Sequence, residues 1–180
     1  MTQTFDLSGR TEAPLRADEV TALRGFLDYQ RDTFRWKCAG LTQDQLARTH
    51  PPSTVTLGGM MKHLALNEAG WFGTTLAGTP HPPPFDAVDW DADPDWEWRT
   101  AAADSPEQLR ALYDDCVRRA DASIDDALAR GGLDTQSVGQ SSDGGAFSLR
   151  WILLHLIEEY ARHNGHADLI RESIDGETGE

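Results

Sequence analysis

Apolar residues recur at three- and four-residue steps along most of this chain. Val20, Leu23, Leu27, Gln30 and Phe34 share one face of a first helix, which Gly40 ends. Before Asp18 no period is visible, and Gly9 and Pro14 interrupt the chain. Residues 1–16 therefore read as a flexible tail, and residues 17–176 as one domain. "LTQDQLART" reads as a short helical turn, and "HPPST" at 50–54 as a break with Ser53 and Thr54 as helix caps. A second helix is expected over 57–77, with Met60, His63 or Leu64, Asn67, Trp71 and Leu76 inward and Gly78 as its stop.

The segment 79–104 carries five prolines and three tryptophans and reads as a long ordered loop, a kind that often covers a site. Ser105 and Gln108 form a capping box around Pro106 and open a third helix to about residue 130. A Gly/Ser-rich loop or hairpin at 133–147 leads to Ser148, the cap of a fourth helix running to about residue 173. Four long helices and weak strand signals predict an all-α four-helix bundle.

Composition narrows the class. With 39% hydrophobic and 26% charged residues, 180 residues suffice for one ordinary core. No apolar run reaches the ~18 residues of a membrane span, and the opening residues lack the basic start and apolar stretch of a secretory signal. A soluble, cytoplasmic protein is expected. A net charge of −14 repels phosphate backbones, so nucleic acid is not expected as a partner. Cys38 and Cys116 fit neither a disulfide framework nor a CxxC site and read as packing residues. A redox nucleophile is the alternative.

The fourth helix breaks its own pattern. From Ile152 the inward steps pass through His155, Glu159, His163 and His166 before reaching Ile170, and at 100° per residue the four polar positions span roughly 80°. A second face, through Leu153, Ile157 and Tyr160, competes for the core. Buried carboxylates and imidazoles cost several kcal/mol unless partnered. Glu159 and His163, four residues apart, converge on one point, and a divalent cation satisfies both; His63 on the second helix offers a third ligand. A surface Glu–His pair and a core histidine bonded to a carbonyl are the alternatives. The conjunction brings the metal level with these alternatives.

"TLGGMMKHLALNEAGWF", "LHLIEEYARHNGHADLIRESIDG" and "LRGFLDYQRDTFRWKCAGLTQDQL" together resemble the DinB-like superfamily of metal-binding bundles. More narrowly they resemble its actinobacterial branch related to mycothiol-dependent maleylpyruvate isomerase and mycothiol transferases. The resemblance covers about residues 18–176. It implies an up-down-down-up bundle with His63, Glu159 and His163 as metal ligands. It also implies mycothiol as the thiol cofactor and a small electrophile as substrate. Most of the superfamily has histidine where this chain has Glu159, a departure shared with the isomerase branch. Zinc is the expected metal, and a carboxylate ligand also suits nickel, manganese or iron. His166, at a position where many relatives carry glutamine, reads as a substrate-facing acid–base, and His155 as an outer partner of Glu159.

Three protein ligands leave one position open, so the reaction expected is thiol transfer to an electrophile, or isomerisation by reversible thiol addition. A hydrolase that activates water, or a non-catalytic stress-response bundle acting through a homodimer interface, would use the same ligands. Trp90, Trp96 and Trp98 are expected to wall the pocket or to pin the loop. His50 and His81 are expected to be solvated.

Overall fold

The computed structural model describes residues 9–178, so the first half of the expected tail, residues 1–8, lies outside the described residues. Within them the chain is mostly helical, with six α-helices and one two-stranded sheet. Helix α1 (Glu19–Cys38) starts at Asp18, whose side chain accepts from the Thr21 amide, and places Leu27, Arg31, Phe34 and Cys38 inward. Helix α2 (Gln43–Leu46) is one capped turn. Arg10, from the segment expected to be loose, is buried and donates to Thr33 Oγ1 at 3.1 Å.

Helix α3 (Leu57–Glu68) begins one turn of chain later than the serine and threonine expected to cap it. Thr56 is the cap, accepting from the Gly59 amide at 3.0 Å. Beyond Glu68 the helix continues as a π-helical stretch, Ala69–Ala77, and ends at Gly78 in the left-handed conformation (φ 70°). Apolar period alone does not distinguish the wider turn from an α-helix, and such wide turns occur often at functional sites.

The segment 79–104 is ordered by short elements: a 3₁₀ turn at Phe85–Ala87, helix α4 (Trp96–Thr100) and a second 3₁₀ turn at Ala101–Ala103. The expected Ser105–Gln108 capping box is formed and opens α5 (Pro106–Gly131). Strands β1 (Gln136–Gln140) and β2 (Ala146–Ser148) pair antiparallel in the Gly/Ser-rich region. Ser148 then caps α6 (Leu149–Asp175), accepting from the Trp151 amide.

Helix α1 lies along α6, α3 packs on α5 and α4, and the π stretch packs on α5 and β1. The core between them includes Phe34, Leu57, Met60, Leu64, Phe72, Leu153 and Leu156. One ionic cluster sits inside it. Arg31 donates from Nε and Nη2 to the two carboxylate oxygens of Glu68, each at 2.7 Å. The Tyr160 hydroxyl donates to Glu68 Oε1 (2.7 Å) and is hydrogen-bonded to the Tyr113 hydroxyl at 2.8 Å. Each of these four side chains belongs to a different long helix, so the network fixes their mutual depth. No apolar period signals it.

Candidate metal centre

The polar stripe of α6 lies at the margin of that core. Ile152 and Ile170, the apolar ends of the stripe, are buried as expected, but Leu149, Leu153, Leu156, Tyr160 and Ala167 are buried as well, so the core is shared with the face that competed for it in the sequence. His155, Glu159 and His163 are consequently half-buried, and His166 is exposed rather than inward. Angular arithmetic on one helix gives the width of the stripe and not the direction of the core.

Opposite that margin, α3 presents His63. One ligand atom from each of His63, Glu159 and His163 lies within 4.8 Å of the others. Glu159 Oε2 stands 3.6 Å from His163 Nε2, and its Oε1 accepts from Arg162 Nη1 at 3.0 Å. The rings of His63 and His163 meet edge to face, with centroids 5.2 Å apart. The spacing of His63, Glu159 and His163 in the sequence thus corresponds to a real cluster.

The tautomer of His63 is set by its neighbours. The Asn67 amide, one turn on, lies 3.2 Å from Nε2, and Glu97 Oε1 lies 3.0 Å from Nδ1. With Asn67 donating, the ring proton sits on Nδ1 and is donated to Glu97. A carboxylate behind a histidine in this way fixes the ring and raises the basicity of the other nitrogen. Glu97 is only 3% exposed, and its Oε2 is buried with no hydrogen-bond partner. Residue reading missed it, because its contact with His63 is made across a proline-rich loop. The one local signal is a carboxylate between two tryptophans in "WEW".

His163 also has an unsatisfied buried atom, Nδ1. Burial first, then the neighbouring His63, lowers its pKa to about 4, so at neutral pH the ring is uncharged and keeps a free lone pair. Two imidazoles, one of them with an unpartnered buried nitrogen, and one carboxylate make a donor set that fits a divalent cation.

Trp98 of α4 stacks on His63 (centroids 4.7 Å, interplanar 29°) and stands 6.3 Å from His163. It alone of the loop's three tryptophans has ring contacts with the cluster. Trp90 and Trp96 pack instead around Phe85, holding the loop to the core, and Trp96 also covers the Lys62 ammonium. The loop therefore both walls the site and pins itself. His81, expected to be solvated, is half-buried against Trp90, and its burial lowers its pKa. His50 is exposed, as expected. His166 keeps a ring contact with His163, centroids 5.9 Å apart.

Both cysteines are buried, and burial pushes each thiol up to about 12. Neither supplies a thiolate at neutral pH. A sulfur nucleophile used at this site has to come from another molecule.

A family model described as Mycothiol-S-transferase matches residues 22–176, a span that contains every residue of the cluster. Among curated proteins no match is found.

Proposed function

Because the chain belongs to the mycothiol-S-transferase family, we propose that it joins the sulfur of mycothiol to a small electrophile, using one divalent metal ion held by His63, Glu159 and His163. The observation that carries this reading is the convergence of those three donors within 4.8 Å, with His63 backed by Glu97. The four long helices fit the up-down-down-up bundle of DinB-like proteins, whose ligands come from the second and last long helices. Zinc suits the donor set, and nickel, manganese or iron are compatible with its carboxylate.

A bound divalent ion supplies the Lewis acidity that keeps a thiol ionised at neutral pH. The chain's own residues do the rest. Glu97 orients the His63 ring through Nδ1, and the Asn67 amide, 3.2 Å from Nε2, would give way for that nitrogen to bind an ion. His163 stays neutral because it is buried beside His63. Trp98 covers the His63 ring and limits water there.

In the transfer, the thiolate sulfur forms a bond to an electrophilic carbon. Either a leaving group departs with its bonding pair, or the electrons of a double bond move to the adjacent atom, which takes up a proton. His166, exposed and beside His163, exchanges that proton with the substrate. Reversal of such an addition after rotation gives isomerisation.

The test is a steady-state assay with mycothiol and a panel of alkylating and conjugated electrophiles, on metal-loaded and chelator-treated protein. Turnover is expected only with metal and thiol together. Metal-dependent hydrolysis that needs no thiol, or no turnover in any state, would contradict the proposal. The His166→Ala variant should retain its metal while turnover falls about 10²- to 10⁴-fold, the usual worth of general acid–base help. Metal loss would make His166 a ligand, and full activity would remove it from the chemistry.

A further inference from the structure

The cluster stands at one end of a double row of side chains whose other end is aromatic. On α3 and its π continuation, His63, Asn67 and Trp71 succeed one another at four-residue steps. On α6, Trp151, His155, Glu159 and His163 do the same. The two rows face each other. His63 meets His163 at the metal-binding end, and Trp71 meets His155 at the other, with centroids 4.6 Å apart.

Further rings gather around Trp71. Phe147 and Trp151 each lie 5.3 Å from it, and 4.7 Å from one another. Trp151 stacks on His155 at 5.0 Å with an interplanar angle of 18°. None of these four rings is buried: three are partly exposed, and Trp151 is 43% exposed. Aromatic clusters that serve only the core lose their faces to packing; this one keeps faces that another ring can cover, removing apolar surface from water.

Charge limits what that ring carries. No acid, lysine or arginine belongs to the shelf. The nearest arginines on α6 are already paired, Arg150 with Glu19 and Asp134 and Arg162 with Glu158 and Glu159. An anionic group gains no free cation there. An open recess of about 430 Å³ beside Phe147 and Trp151, also lined by Gln136, Ser141, Asp143 and Ser148, adds room and hydrogen-bonding groups for polar substituents, and its Asp143 carboxylate disfavours an anionic one.

We infer that this shelf binds a planar, conjugated ring system of the electrophile, stacked on Trp71 and Trp151 with its reactive carbon toward Glu159 and His163. The reacting end of this assignment rests on the proposed thiol transfer. Binding of the ring does not require the metal.

The experiment titrates 1-naphthol, and separately its saturated counterpart decahydro-1-naphthol, into ¹⁵N-labelled full-length protein. It follows the indole N–H signals of Trp71 and Trp151, in chelator-treated and zinc-loaded samples. Saturable shifts of both signals are expected with naphthol and not with the saturated alcohol, in both metal states. Trp151→Leu, at a position open enough for the fold to tolerate it, should weaken naphthol binding about tenfold, the scale of one lost aromatic pair. Absence of saturable shifts, or equal shifts from both alcohols, would overturn the assignment. Shifts that follow protein concentration alone would identify the shelf as a contact between two copies and overturn it as well. Naphthol binding without thiol transfer would leave the shelf standing and remove the functional reading; thiol transfer without naphthol binding would do the reverse.

Discussion

Glu97 gives His63 the hydrogen bond that fixes its ring, and keeps one carboxylate oxygen buried and unpartnered. If the cluster holds a metal, this carboxylate tunes affinity without contributing a ligand atom. Glu97→Gln should keep one ion per chain while weakening its binding about 10- to 100-fold, the usual effect of losing such a support. Competition against a chromophoric chelator measures this; unchanged affinity would reduce Glu97 to a packing role. His63, Glu159 and His163 were legible in the sequence because each violates the apolar pattern of its helix. Glu97 was not, since it lies 34 positions from His63 and meets it only through tertiary folding. His166 lies outside the buried part of the stripe because a helix's angular order does not say where along it burial stops.

At the level of elements, the ends of helices were the most legible feature. Ser105 and Ser148 cap where side-chain chemistry places them, because each offers an oxygen to an otherwise unpaired amide. Thr56 takes the place of the two expected caps because residues 53–56 are non-helical and Thr56, in extended conformation, directly precedes α3. The π-helical stretch was illegible, since its apolar spacing resembles an α-helix.

So was the Arg31–Glu68–Tyr160–Tyr113 network, whose polar members interrupt apolar faces singly on four helices. Glu68 follows Asn67, and Tyr160 follows Glu159, so this network sets the distance across which α3 and α6 present their ligands. Glu68→Ala leaves Arg31 paired only through Nη1, with Asp28 and Asp121, and strips the partners from its buried Nε and Nη2; it should cost about 1–3 kcal/mol of stability. Replacing both members, Arg31→Met with Glu68→Leu, should cost less than the single change. Urea unfolding of the two variants decides it; a double variant less stable than Glu68→Ala would contradict the charge argument.

For the whole molecule, a net charge of −14 disfavours nucleic acid, and no helix among the described residues is long and apolar enough to cross a membrane. Its two thiols are buried and held protonated, so in the family's thiol chemistry the sulfur comes from mycothiol and not from a cysteine of the chain, and an activating centre for it is part of the proposal. His63, Glu159 and His163 are proposed as that centre. The most direct test is elemental analysis of the untagged protein and its Glu159→Ala variant, each stripped with chelator, reloaded with zinc and desalted. One zinc per chain is expected in the unsubstituted protein and well below one in the variant, with a lower melting temperature because the bound ion contributes to folding. Equal zinc content in the two proteins would contradict the assignment of the centre.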